Sequence, residues 1–85
     1  MAKNKRAKLT KADMRLLKSF GERVRQLREQ KKLSVYDVTG KDLAIKSRQH
    51  WQKIENGQKN INLTTVRKIA ETLKVDIKEL LSEMQ

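Results

Sequence analysis

Residues 47–57 read SRQHWQKIENG, a stretch in which only Trp51 and Ile54 are apolar. At helical spacing those two positions, three apart, share one buried edge and leave Arg48, Gln49, Gln52 and Lys53 outward. An outward face of this kind suits recognition by hydrogen bonds. Glutamine both donates and accepts, arginine offers a planar fork of donors, and lysine is a compact point charge. Bond-making chemistry is not encoded with it. His50 is the only histidine and has no nucleophile to activate, and the chain shows neither paired carboxylates nor a glycine-rich phosphate loop. We therefore read the protein as a binder and not an enzyme. With no cysteine and one histidine there is no ligand cluster for zinc, and we expect no metal and no cofactor.

Composition says what such a surface could bind. The 85 residues carry a formal charge of +11, which predicts a polyanionic partner. The charge is graded along the chain, at +8 for residues 1–31, +3 for 32–60 and zero for 61–85. The first two thirds are thus expected to face the anion, and the last third to do something else. The longest uninterrupted apolar run is Leu43-Ala44-Ile45, far below a signal-peptide core of about 7 residues or a membrane span of about 18. We expect a soluble, cytoplasmic protein.

The elements that must position this surface are all helical. Residues 1–9 hold Lys3, Lys5, Arg6 and Lys8 with no acidic residue and no apolar period, and are expected to form a flexible basic arm. Residues 10–85 are expected to form one domain. Thr10 and Asp13 have the spacing of a capping box, followed by a stripe of Met14, Leu17, Phe20, Val24 and Leu27. Gly21 lies inside this helix, so either the helix breaks there or another helix crosses close by. Ser34 and Asp37 open a short second helix with Leu33 and Val38 as its staple. The stretch GKDLAIK is a connection whose Leu43 and Ile45 are expected to tuck into the core. Ser47 caps the third helix, about residues 47–56, and Gly57 ends it in the left-handed position. Asn62 caps a fourth helix with Leu63, Val66, Ile69, Ala70 and Leu73 inward. A fifth opens on a capping box of Asp76 and Glu79 and continues through Ile77, Leu81 and Met84. Lys74 stands between them where glycine would be easier.

The runs RQLREQKKLSVYDV, KIENG and LTTVRKIAETLKVDIKELL resemble the Cro/repressor-type helix-turn-helix family over about residues 17–82. The resemblance implies an all-α, five-helix, lambda-repressor-like fold. It also implies sequence-specific binding of double-stranded DNA by a transcriptional regulator, most simply a repressor. The third helix is then the recognition helix, with its first residues at the base edges of the major groove. Gln49 and Gln52 suit adenine, Arg48 suits guanine or a phosphate, and Lys53 lies on the same base-contacting face. Glu55 is expected to form a structural ion pair with Arg28, as the matching residues of the family do. Phosphate contacts are expected from Lys46, Ser47, His50, Lys59 and Asn60, and from the amide ends of helices two and four. The basic arm is expected to wrap the duplex or enter a minor groove. One departure falls in GKDLAI, where the chain is about two residues longer than the family pattern and the usual turn is about 3 to 4 residues. It bears on the angle between helices two and three.

Ile77, Leu81 and Met84 extend an apolar face on a segment without net charge, which predicts a homodimer through the last helix. No sensor domain is expected, so control would come from concentration, proteolysis or a partner. A second class of function is an antitoxin-like interaction module that also binds its own operator. An RNA binder would need exposed aromatics for unstacked bases, and one Trp, one Tyr and one Phe are too few.

Overall fold

A computed structural model describes residues 8–82 and 84. Of the expected basic arm, residues 1–7, with Lys3, Lys5 and Arg6, lie outside the described residues. Five helices follow one another as α1 (Lys11–Gln30), α2 (Val35–Val38), α3 (Arg48–Glu55), α4 (Leu63–Leu73) and α5 (Ile77–Leu81). There is no strand among the described residues.

α1 begins where its sequence dictates. The Thr10 hydroxyl accepts from the Asp13 amide at 3.0 Å and the Asp13 carboxylate accepts from the Thr10 amide at 2.9 Å, so two amides that a helix start leaves unpaired are satisfied. Only the second half of the expected stripe is core. Phe20, Val24 and Leu27 are buried, whereas Met14 is half exposed and Leu17 only partly covered, because the first turns of α1 project past the other helices. The core is completed by Val38 from α2, Ile45 from the connection, and Trp51 and Ile54 from α3. α4 adds Val66, Ile69, Ala70 and Leu73, and α5 adds Leu80. α1 is the spine, packing on α3, α4 and α5, while α2 rests on α3.

Gly21 marks the closest crossing. A Cβ placed there would lie 2.4 Å from the carbonyl oxygens of both Ile54 and Glu55, so the end of α3 rests directly on the α1 backbone. The helix does not break at this glycine; the expected alternative, a close crossing, holds. Gly57 closes α3 at φ +72°, with its α-carbon facing the Lys18 backbone. Lys74 takes the left-handed conformation after α4 (φ 59°), and Lys32 does the same after α1 (φ 58°).

Four expectations are corrected. Leu63 is 73% exposed, because it occupies the first position of α4, where the helix has not yet reached the core. Leu43 is only partly buried, and Ile45 alone fills the space beneath the connection. At α5 the Asp76 side chain makes no capping bond; the helix is instead held by buried Leu80 and by Arg23. α5 also ends at Leu81, short of Met84. The Arg23 guanidinium donates to the Glu79 carbonyl at 2.8 Å and to the Ser82 hydroxyl at 3.1 Å, satisfying from the side what another turn would have satisfied along the axis.

Candidate nucleic-acid interface

α3 is fixed at three points. Trp51 and Ile54 are buried in the core, and Glu55 is 4% exposed at the helix end. A carboxylate at a helix C-terminus faces the negative end of the dipole, so it needs donors, and α1 supplies them. Arg28 Nε donates to Glu55 Oε2 at 2.6 Å and Arg28 Nη2 to Oε1 at 3.1 Å. Trp51 Nε1 donates to Oε2 at 2.6 Å, and Arg25 Nε reaches Oε1 at 3.4 Å. Burial pushes the Glu55 carboxyl up, but the bonds from Arg28 and Trp51 outweigh it and hold the group below the usual carboxylate range. Arg28 Nη1 also donates to the Leu33 carbonyl at 2.8 Å, which ties the start of the α2 segment to the same cluster. Sequence reasoning named Arg28 and Glu55; it missed Trp51 as a donor and missed Arg25, which also donates to Asn56 Oδ1 at 3.0 Å. The signal for Trp51 was its spacing of four residues before Glu55.

The other end of α3 is set by the connection from Thr39 to Ser47, nine residues between α2 and α3. It is closed on itself. The Gly40 amide donates to the Ile45 carbonyl at 3.3 Å, the Leu43 amide to the Gly40 carbonyl at 3.1 Å, and the Thr39 hydroxyl to the Val35 carbonyl at 2.7 Å. Gly40 has φ +154°, a conformation that suits glycine. Lys46, read from the sequence as a phosphate contact, has its ammonium on the carbonyls of Lys41 (3.2 Å) and Leu43 (3.1 Å) and so clasps the connection. The Ser47 hydroxyl accepts from the His50 amide at 3.3 Å and is the N-cap of α3.

Between these fixed ends α3 presents Arg48, Gln49, Gln52 and Lys53, all exposed. Gln49, Gln52 and Lys53 line one surface depression together with Asn56 and Gln58, two residues the sequence reading did not assign. His50 is half-buried, and its imidazole is held below the ordinary histidine value by burial and by the charges of Lys59 and Lys53. Those three basic side chains therefore lie within one cationic field. Lys59 and Asn60 are exposed in the loop after α3, and Lys8 is exposed before α1. At the ends expected to offer amides to phosphate, the caps intervene. The Asp37 carboxylate accepts from the Ser34 amide at 2.7 Å and puts a negative charge at the start of α2, so that end does not favour an anion. At α4 the Asn62 side chain takes the Thr65 amide at 2.9 Å.

One further contact crosses from α2 to α3. The guanidinium carbon of Arg48 stands 4.3 Å from the centroid of the Tyr36 ring, a cation–π arrangement.

Among the described residues no group of His, Cys, Asp and Glu could hold a metal ion, and no helix is long and apolar enough to cross a membrane. A polar, cationic helix surface on a rigid base thus stands next to the packed elements of the fold.

The helix-turn-helix domain family matches residues 21–84. Among solved structures, the chain is similar to the restriction-modification controller protein C.AhdI from Aeromonas hydrophila. The TM-score is 0.67 at 34% sequence identity, over 76% of this chain and 96% of that one. No curated protein matches the chain. The family match, the controller-protein likeness and the order of five helices agree: the chain belongs to the helix-turn-helix family of DNA-binding regulators, of the Cro/repressor type.

Proposed function

We propose that the protein reads a specific double-stranded DNA sequence through α3 in the major groove and acts as a repressor, in the manner of a small controller protein. The observation that carries this reading is the contrast along α3. Trp51, Ile54 and Glu55 are buried and fixed, while Arg48, Gln49, Gln52 and Lys53 are exposed on the other side. Rigid support under adaptable hydrogen-bonding groups is what base-edge recognition requires. Lys59, Asn60, His50 and Ser47 border that surface and supply phosphate contacts that set the register. Lys46 lies beside them, and the charges of Lys3, Lys5, Arg6 and Lys8 add to the attraction for a polyanionic duplex. Binding, not catalysis, is the activity, and it takes place in the cytoplasm, where the DNA is.

The regulator acts as a homodimer. Leu81 is 42% exposed, and Ile77 and Met84 are only partly covered, so the C-terminal segment leaves an apolar face open to a second copy. Selection of binding sites from a random duplex pool tests the reading. The expected result is a consensus of two inverted half-sites about one helical turn apart. A pool that enriches no sequence would remove sequence reading, and a single unrepeated half-site would remove the dimer.

A further inference from the structure

We propose that Tyr36 is a specificity-determining positioning residue, whose ring fixes the Arg48 guanidinium so that its free edge reads a guanine. The inference deepens the DNA-reading function above and rests on it. Three observations carry it. Tyr36 is 69% exposed, so its ring adds little to the core, yet the Arg48 guanidinium lies over it at 4.3 Å. Arg48 is the first residue of α3, the end of a recognition helix that meets base edges. Among the described residues the Arg48 side chain makes no hydrogen bond or ion pair; the ring is its one specific contact.

A guanidinium held over a ring leaves donors of its fork free for other acceptors. The neighbouring cation differs in this respect, since Lys46 is engaged with two backbone carbonyls. Arg48 is thus held by the ring while its donors face solvent, the condition of a preorganised donor. Guanine offers two acceptors, O6 and N7, side by side in the major groove and matches the fork. Adenine offers a donor beside N7 and repels one of its arms. Without the ring, Arg48 would sample many rotamers, and its charge could serve any nearby phosphate. The pair also spans the nine-residue connection, so the position of the fork depends on α2 and not on the connection alone.

The test compares the full chain with Tyr36→Leu, Tyr36→Phe and Arg48→Lys on the selected operator, on the same operator with each G·C pair replaced in turn, and on unrelated duplex. Tyr36→Leu should weaken operator binding roughly tenfold, the size of one base contact, and flatten the preference at a single G·C pair, with unrelated duplex unchanged. Tyr36→Phe should retain both affinity and preference, because the stack needs the ring and not the hydroxyl. Arg48→Lys should lose the same preference, and adding Tyr36→Leu to it should cost little more. Equal weakening on every duplex by both Leu and Phe variants would overturn the proposal, making the Tyr36 hydroxyl a phosphate contact. Strict additivity of Tyr36→Leu and Arg48→Lys would overturn it too, as would an unaltered consensus in Tyr36→Leu. A parent chain that enriches no consensus would instead overturn the DNA-reading function itself, and the role of the pair with it.

Discussion

Glu55 shows how single residues divide the labour on α3. Its carboxylate is buried, yet it accepts bonds from Arg28, Trp51 and Arg25. Removing either member of the central pair leaves a charge without its partner. Arg28→Ala and Glu55→Ala should therefore each cost on the order of 3 kcal/mol, with the double variant losing less than the sum. Thermal melts of the four proteins check this, and strict additivity would contradict the coupling. The same carboxyl has a pH signature. Its folded pKa lies below its unfolded value, so its stabilisation is complete above the ordinary glutamate range, about 4.3, and is lost as pH falls through the folded pKa. Melts from pH 7 down to 3 should show the parent losing its advantage over Glu55→Gln below about pH 4. The outward residues are tested on DNA. Ala at Gln49 or Gln52 should weaken operator binding by about 1 to 3 kcal/mol and leave unrelated duplex nearly unchanged. Lys59→Ala should weaken both alike and make the salt slope shallower by about one unit. Titrations of both duplexes at several salt concentrations separate the two behaviours.

At the scale of elements, the crossing of α1 and α3 decides where the recognition surface points. Gly21→Ala would force a methyl to within 2.4 Å of two backbone carbonyls, neither of which is the end of a flexible side chain. The expected cost is about 1 to 3 kcal/mol, with α3 displaced from α1, so operator binding should fall further than stability alone accounts for. Melting and binding measured on the same variant test this, and full stability with full affinity would rule the close crossing out. Gly21 was legible in the sequence as a choice between a break and a crossing, since glycine in a helix interior needs a reason. The caps at Thr10, Ser34, Ser47 and Asn62 were equally legible, because capping depends on local spacing alone. The exposure of Leu63 and Met14 was not, since it depends on how far each helix overlaps its neighbours and periodicity carries no such length. Nor was the Tyr36 stack on Arg48 legible. It joins residues on two helices across a connection whose path is set by the bonds of Gly40, Leu43 and Lys46, none of which follows a repeating pattern.

For the whole molecule, the graded charge and the apolar C-terminal segment describe a protein with two faces. The N-terminal two thirds hold the entire excess of +11, so duplex binding should fall about a thousandfold between 50 and 200 mM salt if about 6 phosphates are neutralised. A slope near zero would show that charge does not drive it. The last third has no net charge, and there Leu81 stays exposed because Leu80, its neighbour, is the residue that turns into the core. An isolated surface leucine is ordinary, but Ile77 and Met84 are also incompletely covered, and a second copy meeting this segment would face no charge repulsion. The proposed dimer would place two recognition helices about 34 Å apart, one turn of DNA, so that each protomer would add its base contacts to the other's. Leu81→Lys should therefore convert the protein to a monomer in sedimentation while leaving its melt nearly unchanged, since the side chain lies outside the core. Affinity for the two-half-site operator should drop to that for one half-site. If the parent chain sediments as a monomer at high concentration, both free and on the operator, the dimer is wrong and each half-site is read alone.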